Sequence, residues 1–257
     1  RNYTALETAG PFSGAEGLSA GENIVLKAAA LFREKTGYDR PVRAALEKRI
    51  PPGGGLGGGS SDAASTLRAL DALAAARLGR EELEEMGGRL GSDVPFFLSG
   101  SAALVTGRGE RVRPLDFPAD GLALVLVNPG FPSGTAAAFA KLDRFRTEKD
   151  AAALTDGLSG EDAARFLKDA PASWPYGNDF QPVLCDHGEH GAEYRRIFRD
   201  LREAGADFSG LSGSGSTCFG VFSDKARAKK AAEALFYRWN FVKLTFFLAQ
   251  MPEPVLQ

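Results

Sequence analysis

A glycine-rich loop is the part of this sequence with the clearest chemical use. Residues 51–64 read Pro-Pro-Gly-Gly-Gly-Leu-Gly-Gly-Gly-Ser-Ser-Asp-Ala-Ala, with six glycines before a predicted helix start. Glycine permits positive φ and has no Cβ, so successive backbone N–H groups can converge on an anion. The following helix directs its free N–H groups and the positive end of its dipole at the same point. The loop predicts a phosphate-binding site, and the alternatives are a flexible linker or a tight turn.

The loop differs from two common phosphate-binding motifs. No Gly-Lys-Ser/Thr ends it, so it is not a Walker A loop, and no acidic residue stands where a dinucleotide fingerprint requires one. The hydroxyls of Ser60 and Ser61 can reach a phosphate oxygen or its magnesium ion. Ser61 is the predicted metal ligand.

Asp93 is the candidate for acid–base chemistry. It lies in residues 91–97, Gly-Ser-Asp-Val-Pro-Phe-Phe, among small and apolar neighbours. Partial burial there would raise the pKa of the carboxyl group, and a nearby cation would lower it, so the site could tune a base. Alternatively, Asp93 caps the turn before Val94 and Pro95. The local sequence leaves both interpretations open.

A second loop of small residues, 211–217, reads Leu-Ser-Gly-Ser-Gly-Ser-Thr and precedes a predicted strand. Because it also lacks bulky side chains, its backbone could close over a ligand. Alone, this motif is a weak indication of function.

Composition and charge restrict the class of protein. The 257 residues are 44% hydrophobic and 25% charged, as in an ordinary globular protein. Lys and Arg number 31 against 33 Asp and Glu, without a polybasic tract, which argues against a nucleic-acid partner. The two cysteines, Cys185 and Cys218, lack metal or disulfide spacing and indicate the reducing cytoplasm. Apolar runs are far shorter than the roughly 20 residues of a membrane helix.

The elements that must position these motifs follow from hydrophobic spacing and from glycine and proline breaks. Asn23 is a predicted helix cap, and Gly37 is the predicted end of that helix. The helix after the glycine loop is predicted to begin at Ser60 or Ser61 and to end near Gly79. Other elements predicted here are a strand over 42–50, a helix over 81–90 stopped by Gly91, and strands over 102–106 and 122–127.

Beyond Asn128 the pattern changes to helices and then to mixed structure, which predicts an α+β fold. The change places a domain boundary there, with an N-terminal domain over 1–127 and a C-terminal domain over 128–257. Predicted helices cover 136–145, 149–158, 161–169, 193–204 and 223–239, and predicted strands cover 218–222 and 241–248.

Three motifs in this order, at 51–64, 91–97 and 211–222, resemble the superfamily of galactokinase, homoserine kinase, mevalonate kinase and phosphomevalonate kinase. A closer resemblance is to the 4-diphosphocytidyl-2-C-methyl-D-erythritol kinases. It covers residues from about Glu22 to the C-terminus. The residues that carry it are Lys48-Arg49-Ile50-Pro51, the glycine triplets around Leu56, Gly91-Ser92-Asp93-Val94-Pro95, and Asn178-Asp179-Phe180.

The resemblance implies a fold and an activity. The fold is an N-terminal domain like the second domain of ribosomal protein S5, with its first strands missing, and a ferredoxin-like C-terminal domain. The activity is ATP-dependent phosphorylation of the 2-hydroxyl of 4-diphosphocytidyl-2-C-methyl-D-erythritol, with Mg²⁺, in non-mevalonate isoprenoid precursor biosynthesis. For the protein itself we expect a monomer or weak homodimer.

The same resemblance assigns roles to residues of this sequence. Asp93 is the implied catalytic base, and Asn23, Ile24 and Lys48 line the implied adenine pocket. The residues implied to wrap the ATP phosphates are Pro51, Pro52, Gly53, Gly54, Gly55, Leu56, Gly57, Gly58, Gly59, Ser60 and Ser61. Those implied to support the active site from the second domain are Gly213, Ser214, Gly215 and Ser216.

The sequence departs from the family at its start. Such kinases open with a Pro-Ala-Lys-x-Asn-Leu strand and a Gly-Tyr-His segment, and neither occurs in this sequence. The strand supplies a lysine partner for the aspartate, so we expect these elements to precede Arg1 in an active enzyme. The alternatives are a nucleotide-binding but catalytically silent remnant, or another small-molecule kinase of the superfamily.

Overall fold

The computed structural model of the chain describes residues 4–14, 23–100, 102–148, 160–248 and 250–255. These residues divide into two units. Residues 53–56 and 116–248 belong to the second unit, and the other described residues belong to the first. This division differs from the predicted boundary at Asn128, because the strand that ends at Asn128 pairs with two strands of the second unit. The helix predicted over 149–158 lies outside the described residues.

Helices supply the hydrophobic core of the first unit. Phe32, Leu67 and Val94, from three different helices, are fully buried in one cluster. One pair of strands is parallel, β1 with β2, and another is antiparallel, β3 with β4. The elements are β1 Thr4–Ala9, α1 Ile24–Thr36, β2 Val42–Glu47, α2 Gly58–Ala74, α3 Arg80–Leu90, α4 Val94–Ser99, β3 Ala103–Thr106 and β4 Arg111–Pro114.

The caps predicted for α1 are confirmed. The Asn23 Oδ1 atom accepts a hydrogen bond from the backbone N–H of Val25 at 2.9 Å. Gly37 ends the helix in the left-handed conformation, with φ of 71°. Both signals are local, so the sequence was sufficient to find them.

The ends of α2 differ from the prediction. The helix begins at Gly58, before Ser60, because Gly57 adopts a φ of 64° and its carbonyl accepts the N–H of Ser61 at 2.9 Å. It ends at Ala74, well before Gly79, because Ala75 turns into the left-handed region. Alanine has no local preference for such a turn, so the sequence gives no signal for it.

The short helix α4 was not predicted. Its six residues follow Asp93 directly, Pro95 stands in its first turn, and Gly100 ends it with a φ of 79°. Proline is well accepted in a first helical turn, where its missing N–H needs no partner. Because proline also favours turns, the sequence around Pro95 predicts a turn and gives no separate signal for this helix.

An antiparallel sheet in the order β6-β7-β5-β8 forms the centre of the second unit. Val125 and Phe222 of this sheet are fully buried against Ile197 and Leu201 of α8. The strand β6 and the helix α7 were not predicted. The elements are β5 Ala123–Asn128, α5 Thr135–Glu148, α6 Gly160–Phe166, α7 Phe180–His187, α8 Gly191–Glu203, β6 Phe208–Leu211, β7 Cys218–Phe222, α9 Lys225–Phe236 and β8 Phe241–Phe246.

Both cysteines lie in this second core as free thiols. Burial raises the pKa of Cys218 far above its ordinary value, and it raises the pKa of Cys185 as well. Such thiols are not reactive nucleophiles. In the part of the chain that the structure describes, no helix has the length and apolar character needed to cross a bilayer.

Candidate phosphate-binding and catalytic site

The first turn of α2 offers free backbone donors. An α-helix leaves its first N–H groups without partners inside the helix, and here they belong to Gly58, Gly59 and Ser60. The N–H of Ser61 is the first that bonds within the helix, to the carbonyl of Gly57. Together with the positive end of the helix dipole, these groups are suited to bind an anion.

The three glycines at this turn differ in how much space is available for a side chain. At Gly57, φ is positive and a Cβ would lie 2.7 Å from the ring of Phe97. At Gly58, a Cβ would lie 3.1 Å from the Cγ2 atom of Ile50. At Gly59, the nearest atom would be Ile24 Cγ2, at 4.0 Å. Packing therefore explains Gly57 and Gly58, whereas Gly59 has room for a Cβ, which would make only an ordinary contact with Ile24.

A buried ion pair lies beside this turn. Lys48 is only 4% exposed, and its Nζ atom lies 2.5 Å from the Oδ2 atom of Asp62 on α2. A Cβ on Gly58 would be 3.8 Å from the same Nζ atom, so the ammonium group is close to the free N–H groups. The sequence pointed to Lys48 only through the family resemblance and did not reveal its pairing with Asp62.

We predict that Asp62→Asn lowers the free energy of unfolding by about 2 kcal/mol, because it leaves the buried Lys48 ammonium without an opposite charge. Urea denaturation of the protein measures this. The matched control is Glu34→Gln, which breaks an exposed ion pair with Arg89 and should cost less than about 1 kcal/mol. Equal losses in the two variants would contradict the structural role of the buried pair.

Asp93 directly precedes α4 and is exposed. The partial burial considered from the sequence is therefore not found. The capping alternative is not supported either, because the side chain makes no capping hydrogen bond to the helix. The helix itself is fixed in place, since Val94 is fully buried in the same hydrophobic cluster as Ala63 of α2 and Phe97 lies against Gly57. Packing thus holds the backbone of Asp93 relative to α2, and its carboxylate makes no hydrogen bond or ion pair with any residue that the structure describes.

The turn between β3 and β4 supports the residue before Asp93. Gly109 has a φ of +116°, and a Cβ there would lie 2.1 Å from the carbonyl oxygen of Ser92. The carboxylate of Glu110 fixes this turn, and hydrogen bonds from its own backbone N–H and from that of Arg108 lower its pKa. The spacing of Gly107 and Gly109 before Glu110 is the signal that sequence reasoning missed.

The first half of the glycine loop is held in the second unit. The carbonyl of Gly53 accepts the N–H of Ser133 at 2.8 Å, and that of Gly54 accepts the N–H of Thr217 at 3.0 Å. The carbonyl of Gly55 accepts the hydroxyl of Ser212 at 2.8 Å. Two motifs found separately in the sequence, 53–56 and 211–217, are therefore in direct contact.

Hydroxyls of the second loop are used within the protein. The hydroxyl of Ser214, which is 8% exposed, lies 3.3 Å from Thr135 Oγ1, and that of Ser216 donates to the carbonyl of Phe131. The Nδ2 atom of Asn128 donates to Ser216 Oγ at 3.1 Å and to Thr217 Oγ1 at 2.9 Å. Gly213 and Gly215 have positive φ, as a tight loop requires. The network makes this loop a rigid support.

A magnesium ion fits the first turn of α2 only as a companion of phosphate. The hydroxyl of Ser61 donates to the carbonyl of Gly58 at 2.8 Å, which leaves its oxygen lone pairs available to a cation. Within the described ranges, no group of three or more His, Cys, Asp or Glu residues is placed to hold a metal ion. An ion at Ser61 would take most of its ligands from phosphate and water.

Comparisons with known proteins found similar families, sequences and structures. The family described as GHMP kinases N terminal domain matches residues 23–101, and GHMP kinases C terminal matches residues 151–240. A 4-diphosphocytidyl-2-C-methyl-D-erythritol kinase of Treponema pallidum is 41% identical, over 85% of this chain and 75% of its own length. One of Chelativorans sp. is 36% identical, over 95% and 80%. A crystal structure of 4-(cytidine 5'-diphospho)-2C-methyl-D-erythritol kinase, 34% identical, covers 94% of this chain and 81% of its own with a TM-score of 0.74.

Proposed function

The chain belongs to the 4-diphosphocytidyl-2-C-methyl-D-erythritol kinases, a family of GHMP kinases, and we propose that it transfers the γ-phosphoryl group of ATP to the 2-hydroxyl of 4-diphosphocytidyl-2-C-methyl-D-erythritol. This is a step of non-mevalonate isoprenoid precursor biosynthesis. The observation that carries the proposal is 41% identity over 75% of the length of a named relative. With such identity, a silent remnant or a kinase for another small molecule is not favoured.

Two features of the first unit support ATP as the phosphoryl donor. The free N–H groups of Gly58, Gly59 and Ser60 suit a triphosphate. Asn23 is 2% exposed, and its Nδ2 atom has no hydrogen-bond partner among the described residues. A buried donor without a partner costs roughly 1–3 kcal/mol, which a ring nitrogen of adenine beside Ile24 would recover. We therefore assign Asn23, Ile24 and Lys48 to the adenine side, and residues 51–61 to the phosphates.

Mg²⁺ is the second part of the proposal. The Ser61 hydroxyl is its ligand from this chain, and bound Mg²⁺ supplies neutralisation of the negative charge on the phosphate oxygens. The Lys48 ammonium group remains paired with Asp62, so this chain's own contribution to binding the phosphate charge is the backbone N–H groups of the first turn of α2.

Asp93 is the proposed base. As the oxygen of the substrate hydroxyl forms its bond to the γ-phosphorus, its proton passes to the Asp93 carboxylate. The bond between the γ-phosphorus and the bridging oxygen breaks, and ADP leaves with that electron pair. An exposed carboxylate on a packed backbone suits this role, because it can reach a substrate without losing its position.

We also propose a finer description of the two domains and of the protein's state. Two observations support a ferredoxin-like second domain. Its elements follow the order β5, helices, β6, β7, α9, β8, and its sheet has the strand order β6-β7-β5-β8. For the first domain, the family resemblance supports a fold like domain 2 of ribosomal protein S5. Free buried thiols support a cytoplasmic protein, and we propose a monomer or weak homodimer.

A substrate comparison tests the function. The full-length protein is assayed for ADP release with the cytidyl alcohol, with homoserine and with mevalonate, each at saturating Mg-ATP. We expect turnover with the cytidyl alcohol alone, and a product phosphorylated at the 2-hydroxyl by phosphorus NMR. Faster turnover with either of the other alcohols would assign a different kinase of the superfamily.

We predict that Gly109→Ala lowers turnover about tenfold with unchanged ATP affinity, because the new methyl group displaces Ser92 and with it Asp93. Gly121→Ala is the matched control, since its φ is also positive, at +89°, but a Cβ there contacts nothing within 4 Å. Both variants add backbone strain at a positive φ, but only Gly109→Ala adds the contact with Ser92, so its thermal unfolding temperature should fall further than that of the control. Equal turnover in the two variants would show that the β3–β4 turn does not position Asp93.

A further inference from the structure

Asn178 opens the tripeptide Asn178-Asp179-Phe180, to which the proposed function assigns no role. Its side-chain amide makes three hydrogen bonds to the backbone. The Nδ2 atom donates to the carbonyl oxygens of Leu211 and Gly213, at 2.9 and 2.8 Å. The Oδ1 atom accepts the N–H of Phe180 at 2.9 Å. One side chain thus joins the start of α7 to both sides of Ser212.

Ser212, between those two carbonyl groups, contacts the glycine loop directly. Its hydroxyl donates to the carbonyl of Gly55 at 2.8 Å. A Cβ on Gly55 would lie 2.2 Å from the Ser212 carbonyl oxygen, so the two backbones are in close contact. A shift of 211–213 by a few tenths of an ångström must therefore move Gly55 or break this hydrogen bond.

Hydrogen bonds on either side make the contact between the loops rigid. The N–H of Ser212 donates to the carbonyl of Thr217 at 2.9 Å, and the N–H of Thr217 donates to that of Gly54 at 3.0 Å. Ser212 and Thr217 together hold two successive carbonyl groups of the glycine loop. The geometry of residues 53–55 therefore depends on the conformation of residues 211–217, which Asn178 fixes from the far side.

We propose that Asn178 is a positioning residue for nucleotide binding. Its amide sets the conformation of residues 211–213, and through Ser212 it sets the geometry of residues 53–55 of the glycine loop. Both carbonyl groups need a donor, so asparagine suits the position and an isosteric aspartate does not, because its carboxylate would face two carbonyl oxygens. The proposal rests on the proposed function, since it takes the glycine loop as the ATP site.

The test is Asn178→Asp in the full-length protein, with ATP affinity measured by calorimetry and turnover measured at varied ATP. We expect the Kd and the KM for ATP to rise about tenfold, while the KM for the cytidyl alcohol stays within about twofold. The matched control is Asp179→Asn, the next residue, whose carboxylate accepts an exposed hydrogen bond from Arg146 at 2.6 Å and has no other partner among the described residues. We expect this control to bind ATP like the wild type.

A double-mutant cycle separates positioning from general loss of structure. Ser212→Ala removes the hydroxyl that reaches Gly55, and it should weaken ATP binding by itself. If Asn178 acts through Ser212, adding the second substitution has no further effect. The double variant then has the same Kd for ATP as whichever single variant, Asn178→Asp or Ser212→Ala, has the higher Kd. Independent damage to the fold would instead make the two losses multiply, which would overturn the proposal.

Other outcomes are equally decisive. Unchanged ATP affinity in a folded Asn178→Asp variant overturns the inference and leaves the proposed function intact. If that variant does not fold, unchanged affinity in Ser212→Ala overturns the inference in its place. Failure of the wild-type protein to bind ATP would contradict the proposed function, and the inference with it.

Discussion

Asp93→Asn is expected to lower turnover by at least about a hundredfold and to leave ATP affinity nearly unchanged, because removing a general base typically costs about 100- to 10,000-fold. Asparagine has the shape of aspartate but cannot take the proton of the substrate hydroxyl. Such a loss corresponds to roughly 3–5 kcal/mol of barrier. Steady-state turnover with the cytidyl alcohol and calorimetry with ATP measure the two quantities separately.

The control for this substitution is Asp120→Asn, which removes the charge of another exposed aspartate in a turn. It should leave turnover unchanged. Because the Asp93 side chain makes no capping hydrogen bond, the Asp93→Asn protein should also unfold at the same temperature as the wild type. Near-normal turnover in this variant would mean that the proton goes elsewhere, and the assignment of Asp93 as the base would be withdrawn.

The ends of a helix were predictable where a local capping residue determines them, and not where contacts with other parts of the chain do. Asn23 caps the start of α1 and Gly37 ends it in the left-handed conformation, and both residue types are recognised helix-end signals in a sequence. By contrast, α2 ends at Ala74 partly because the Asp71 carboxylate accepts the N–H of Leu78 at 2.9 Å, which holds the chain in its turn. Nothing in the run of alanines there indicates where the helix stops.

The domain division shows the same limit at larger scale. The change of pattern at Asn128 is real, but it marks the end of a strand and not the border between the two units. Strand β5 pairs with β7 and β8, which are about 90 or more residues away in sequence. Strand pairing between residues so far apart in the chain produces no recognisable pattern in the local sequence, so the border after Leu115 could not be predicted.

The candidate site was predictable in its motifs but not in its contacts. Glycine content and the predicted helix start drew attention to the glycine loop, for which phosphate binding remains a prediction, and the second loop was found by its small residues. The sequence did not show that Ser212 holds Gly55, or that Asp62 neutralises Lys48. These contacts join residues far apart in the chain, and each depends on burial that only the folded protein defines.

Gly59→Val is expected to weaken ATP binding about 100-fold, or roughly 2.7 kcal/mol, and to leave stability within about 0.5 kcal/mol of the wild type. A helical Cβ points toward the N-terminus of its helix, so a branched side chain at Gly59 projects toward the place where the free N–H groups would hold phosphate. Calorimetry with ATP and urea denaturation measure the two effects.

Gly59 is the position that separates binding from folding. Valine at Gly57 would collide with the Phe97 ring at a positive φ, and valine at Gly58 would press on Ile50. In those variants, weaker ATP binding could not be distinguished from loss of core packing. Gly88 is the matched control, because it is another exposed helical glycine with nothing within 4 Å of a Cβ. Gly88→Val should bind ATP normally. If Gly59→Val also binds ATP normally while folded, phosphate does not bind at the start of α2, and glycine at position 59 has another cause.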